Sequence, residues 1–196
     1  MLIRAIAVVS CLLLAGACTG ETEAESPTGE TVLAGLTPER LCELLPVDTI
    51  EQTLDVVVTD TKSRQSGRPP ILSKTCRYEV EFALADVELL PPAIIVDVKQ
   101  TRDKGVDEIL DHEFTDLMAE NAKTAPYERV DGLGEAAGYG DNPTLGSELP
   151  ESQLIVVFTA GGERFAFDVS VSPHTPVEKL TPLATDLLAA LEAEFG

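Results

Sequence analysis

The chain has no tryptophan, only two histidines, and just 5% aromatic residues. It is also poor in positive charge. Its 14 Lys+Arg stand against 34 Asp+Glu in 196 residues, for a formal net charge of −20 at pH 7. A nucleic acid would meet a strongly negative protein with only three Tyr and six Phe to stack on, so no nucleic-acid partner is expected. There is no Cys-x-x-Cys, no Gly-x-Ser-x-Gly, and nothing that identifies a Ser with a His and an acid as partners. No redox pair, no catalytic residue and no enzyme activity are therefore expected. What remains is 44% apolar and 24% charged, which is globular rather than disordered composition. The length suits one domain of ordinary size with a sizeable core.

The N-terminus carries an address. Met1 to Arg4 form a short positive end, and Ala5 to Ala17 follow as an apolar stretch. That stretch suits a signal-peptide core and is shorter than the roughly twenty residues of a spanning helix. It closes on Leu14-Ala15-Gly16-Ala17-Cys18. Small residues let a peptidase hold the chain extended at the cut, and the Cys18 thiol is the atom that takes lipid. The segment resembles a bacterial lipobox, with Ala15 where the common form has Leu. Residues 1–17 are read as a lipoprotein signal peptide, and Cys18 as the lipidation site. Two acyl chains there would hold the protein stably on a membrane, facing away from the cytoplasm. A plain secretory signal cut near Ala17 is the alternative. Residues 18–35, rich in Glu, Thr, Gly and Ser, read as a flexible acidic tether. Residues 36–196 read as a single domain.

Within that domain, Thr37-Pro38-Glu39 is a helix start with Thr37 as its cap, and Leu41, Leu44 and Leu45 form the buried stripe. Asp48, with Glu51 three residues on, reads as the cap of a second short helix. Val56 to Thr59 reads as a short strand. From Thr75 to Ala83 the chain alternates, with Cys76, Tyr78, Val80 and Phe82 on one face. Ile94 to Gln100 is a further strand, and Val106 to Ala122 reads as a helix. Gln153 to Ala160 and Glu163 to Ser172 form a hairpin across Gly161-Gly162, with Phe165, Phe167, Val169 and Val171 inward. Val177 to Phe195 is the last helix. The fold class is α+β: an antiparallel sheet with packed helices at both ends and one in the middle.

If Cys18 carries lipid, Cys42 and Cys76 remain as a pair in an oxidising compartment, and a structural disulfide between them is expected.

Four short motifs follow Cys18 in order: Leu41-Cys42-Glu43-Leu44-Leu45-Pro46, Cys76-Arg77-Tyr78, Val130-Asp131-Gly132-Leu133-Gly134, and then the hairpin with its final helix. This order resembles an actinobacterial family of small cell-envelope lipoproteins of unknown function, over roughly residues 40 to 195. The family usually has Trp in the strand after its second Cys, and Tyr78 takes a comparable place here. The resemblance implies a disulfide-stapled, membrane-tethered α+β domain. It supplies no substrate or catalytic residues.

Few residues invite chemistry. His112 and Asp116 lie four apart on the expected helix, but Asp111 and Glu113 crowd the same surface, and a solvated acidic face is the reading adopted. No metal or other cofactor is expected. His174 reads as a surface-loop residue. Gly132-Leu133-Gly134 reads as a tight turn between short strands rather than a phosphate cradle. The most unusual segment is Thr59 to Arg77, where Lys62, Arg64, Arg68, Lys74 and Arg77 face only Asp60 in an otherwise acidic protein. It reads either as a mobile loop joining two strands or as a contact for an acidic protein, anionic headgroups or wall polymer. The functional expectation is a non-catalytic envelope lipoprotein, acting as an interaction, accessory or sensor domain, with an envelope protein as the possible partner. The alternative is a carrier of a small or lipidic ligand.

Overall fold

A computed structural model of the chain describes residues 31–68, 71–82, 92–101, 104–116, 123–142 and 151–196. The signal sequence, Cys18 and the tether through residue 30 lie outside the described residues. So do residues 117–122 of the helix expected from Val106. Three helical segments open the described chain: α1 (Val32–Gly35), α2 (Pro38–Leu44) and α3 (Val47–Leu54). Strands β1 (Val56–Arg68), β2 (Ile71–Phe82) and β3 (Ala93–Gln100) follow, then helix α4 (Val106–Glu113). Short strands β4 (Thr115–Asp116), β5 (Lys123–Thr124) and β6 (Tyr127–Arg129) lead to β7 (Ala136–Asp141), β8 (Ser152–Ala160) and β9 (Glu163–Ser172). Helix α5 (Val177–Phe195) closes the chain.

Seven strands form one sheet in the order β1-β2-β3-β9-β8-β7-β6, and all adjacent pairs are antiparallel. The α+β architecture with one disulfide is as expected. Side chains alternate across the sheet. One face, here the front, carries Cys76, Tyr78, Val96, Val98, Phe165 and Phe167, all fully buried. They share a core with Leu41 and Leu45 around α2, Ile50 of α3, and Leu180, Leu187 and Leu191 of α5. The back face is covered in part. There Ile109, Leu110 and Phe114 pack on Ile155, Val157 and Ala166 as a separate, smaller core.

Local chemistry explains these elements. The Thr37 hydroxyl accepts the Arg40 N–H at 3.1 Å, and Pro38 occupies the first turn. Gly161 and Gly162 take φ of 58° and 80°, the left-handed pair that a two-residue hairpin turn requires. The disulfide Cys42–Cys76 ties α2 to β2, with Cα atoms 5.3 Å apart and a sequence separation of 34. Closing a loop of that length removes denatured-state entropy worth ~4 kcal/mol in the chain-entropy model.

Four expectations are corrected. The folded chain starts before Leu36: Val32–Gly35 forms a helical turn and Leu33 is fully buried, because an apolar residue there reaches the core. Asp48 does not cap α3. Pro46 holds that position, and Glu51 turns instead to accept the Val58 N–H at 2.9 Å. Helix α4 ends at Glu113, after which Phe114 stacks on Tyr127 at 4.6 Å and the chain enters β4. Finally, β1 does not stop at Thr59 but runs to Arg68, so the basic segment is strand rather than loop.

Candidate functional site

The basic segment forms the long β1–β2 hairpin, paired from Val56↔Phe82 to Arg68↔Ile71 with a bulge near Thr59. Strand β1 is one edge of the sheet. Residues that pair across strands share a face. By this register Lys62, Arg64 and Arg68 lie on the back face with Arg77, Thr75, Ser73 and Ile71. Four of the five expected contact cations therefore come together.

Lys74 does not join them. It alternates to the front face, is 2% exposed, and bonds to Gln65 Oε1. Burial pushes its ammonium below the usual lysine range. The reason is the strand period: with Arg77 outward, Lys74 must point inward. Lys62 is engaged as well, bridging Asp60 at 3.2 Å and Glu79 at 2.5 Å. Among the described residues, the Arg64, Arg68 and Arg77 side chains make no ion pair or hydrogen bond. The two large exposed hydrophobics among the described residues, Ile71 and Val57, belong to the same hairpin and its back face.

Toward the sheet centre the back face turns from basic to acidic. Thr75 pairs with Asp97 on β3, and Asp97 pairs with Asp168 on β9. Asp97 Oδ1 accepts the Ser73 and Thr75 hydroxyls, each at 2.6 Å. Asp168 is buried, and its Oδ1 has no partner. Burial pushes its carboxyl up to about 8. Gln153 Oε1, one strand over, is likewise buried and unpartnered. Lys99 salt-bridges Glu113 of α4. Burial works against its charge, but Asp168, Glu113 and Asp97 outweigh it and hold its ammonium above the ordinary value. Reading the hairpin alone leaves this buried polar row unseen, since Asp168, Ser170 and Gln153 look like ordinary outward positions of half-buried strands.

Other expected sites fall as follows. His112 lies near the end of α4, but Asp116 is in β4, so the two no longer share a helix face. Among the described residues no three His, Cys, Asp or Glu side chains could hold a metal ion. Gly132-Leu133-Gly134 joins β6 to β7 as a turn, with φ of 77° and 61° at its glycines and Leu133 in the core. His174 lies in the segment before α5. Its Nδ1 is 3.1 Å from Ser152 Oγ and 3.3 Å from Asp141 Oδ1. A nucleophile–base relay needs the serine and the acid on opposite ring nitrogens. Here both meet the same one, and Ser152 is fully buried with Oγ accepting the Thr175 N–H at 2.7 Å. This cluster instead anchors the entry to α5. Among the described residues no helix is long and apolar enough to cross a membrane.

No protein-family model matches the chain, and no curated protein or solved structure is similar to it.

Proposed function

We propose that this protein is a non-catalytic, lipid-anchored domain on the outer side of the cytoplasmic membrane, and that it binds another envelope protein through the back face of the β1–β2 hairpin. Its resemblance to actinobacterial envelope lipoproteins and the lipobox at Cys18 support the address. The observation that carries the binding reading is the placement of Arg64, Arg68 and Arg77 on one face of the hairpin, without ion-pair partners among the described residues, with exposed Ile71 directly across from Arg68. Arginines beside an apolar anchor suit an acidic protein surface, and in a chain of net charge −20 they are the natural place for one to land.

The test is a photo-crosslinking residue at position 71 in intact cells, compared with one at exposed Asp186 on α5. A discrete crosslinked protein from position 71, lost in an Arg64→Ser/Arg68→Ser/Arg77→Ser variant and weakened by salt, is the expected result. The same products from both positions, or products unaffected by the triple change, would reject the reading. Labelling with a lipid precursor tests the anchor separately, and label persisting in Cys18→Ala would reject it.

A further inference from the structure

The β1–β2 hairpin overhangs the end of β3: the β2–β3 pairing begins at Ser73↔Lys99, leaving Ile71 and Leu72 beyond it. Between this overhang and α4 lies a pocket of about 350 Å³. That is near the lower end of the roughly 300–1,000 Å³ usual for small-molecule sites, so it suits a short ligand. Its apolar walls are Ile71 and Ile109, while the neighbouring Leu72 turns its side chain into the front core. The pocket's donors are Lys99, Lys104 and His112, since the Ser73 and Thr101 hydroxyls, also in the lining, already donate to Asp97 Oδ1 and the Arg164 carbonyl.

Glu113 is the single acid among the described residues that line it. That carboxylate is already engaged by Lys99. An ammonium has three donors, so Lys99 keeps capacity for a second acceptor. Lys104 meets Glu108 across 3.5 Å, with the acid 63% exposed, a contact too solvated to hold it. Arg68 pairs with Ile71 at the rim and adds positive charge without a partner among the described residues. The pocket thus reverses the sign of the surrounding protein.

We propose that this pocket binds a small anionic amphiphile: a carboxylate or phosphate head held by Lys104, Lys99 and His112, with a short apolar chain against Ile71 and Ile109. The opposing consideration is the acidic row behind Lys99, formed by Asp97 and Asp168, which would favour a cationic head. Geometry decides between them, because Lys99 and Lys104 line the pocket and the aspartates do not, while the lining Glu113 is engaged by Lys99. The proposal does not depend on a protein partner at the arginine face.

The experiment is calorimetric titration of the full chain with octanoate, octyl phosphate, octylamine and octanol, which share one chain length and differ in head. At least one anionic probe should bind about tenfold or more tighter than octylamine and octanol. The comparison of octanoate with octyl phosphate identifies the head. Lys104→Glu should weaken the anionic probes about tenfold and leave octanol little changed, whereas Ile71→Ser should weaken all binders. Both positions are at the surface, so folding is not at risk. Equal affinity for all heads, preference for octylamine, or no binding of any probe at roughly 1 mM would overturn the proposal.

Discussion

Replacing Asp168 with Asn isolates the most costly group on the back face. The carboxyl is buried, lacks a partner for Oδ1, and titrates near 8 rather than at its ordinary 3.8. Burial is the main cause. Asp97, Glu113 and Glu151 add to the rise, while Lys99 opposes it. An acid whose folded value lies above its unfolded value holds its proton in the folded state while the unfolded chain has lost it. Stability therefore falls as pH rises between those two values, by about 1.4 kcal/mol per pH unit for one proton. Over the whole interval the loss is on the order of 6 kcal/mol at most. Asn cannot ionise, so the fall should be absent in Asp168→Asn, and its amide also offers donors toward the orphaned Gln153 Oε1. The two proteins should differ little near pH 4, and the variant should gain steadily up to pH 8. Urea unfolding of both, with the disulfide intact, at pH 4, 5, 6, 7 and 8 measures the difference directly. Taking the difference cancels contributions common to both, such as Glu39, whose carboxyl is held low by the Ser63 hydroxyl. A difference that does not change with pH would refute the reasoning.

Three further outcomes can be measured in the same way. Tyr78→Phe removes a fully buried hydroxyl that donates to the carbonyls of Leu45 at 2.9 Å and Cys42 at 3.1 Å, and should cost roughly 1–3 kcal/mol in urea unfolding. A loss below a few tenths would mean water replaces the hydroxyl at no cost. Cys42→Ala with Cys76→Ala should lower stability by about 4 kcal/mol, and reduction of the parent should produce a similar fall in unfolding midpoint; an unchanged midpoint contradicts both. Gly134→Ala should lose roughly 2–4 kcal/mol, because a Cβ there sits 2.4 Å from the Val157 carbonyl oxygen at φ +61°. Gly132→Ala, with open space and φ +77°, should lose only about 1 kcal/mol, and equal thermal shifts for the pair would exclude the close-approach argument.

How much of this could be read in the sequence depended on whether a segment's own residues or its neighbours determined its structure. The Thr37-Pro38 start, the Gly161-Gly162 turn and the alternating Cys76-Tyr78-Val80 strand are local signals, and each is realised. The distal half of β1 carries no such signal. From Thr59 to Arg68 it has no apolar residue, since an edge strand buries little, and its register comes from pairing with the better-patterned β2. The short α4 fails in the opposite direction. Apolar spacing continues past Glu113, but Phe114 is taken by Tyr127, and that stacked pair lies over Gly138, where a Cβ would come within 3.1 Å of Phe114 and 2.9 Å of Tyr127. Glycine in β7 and the end of α4 are thus one packing decision made by residues far apart in sequence.

The back-face acids carry that point into function. Alternation correctly turned Phe165, Phe167, Val169 and Val171 toward the front core, and so consigned Asp168 and Ser170 to the other side. Nothing local says that this other side is also buried; that follows from where β9 lies in the sheet, between β3 and β8. A central strand covered on both faces leaves each polar residue on it needing a partner, and Asp168 lacks one at Oδ1. The hairpin poses the reverse case. The same alternation that puts Arg64, Arg68 and Arg77 on the back face forces Lys74 inward, reducing a five-cation cluster in sequence to a one-sided surface. Charge counting along the chain could locate the segment but not its face. The arginine face and the pocket beside it are products of register, which makes a one-residue insertion in β1 beyond the bulge a sharp probe. It would turn Arg64 and Arg68 to the front while a neutral insert leaves the net charge unchanged, and binding that depends on the face should vanish although binding that depends only on charge should survive.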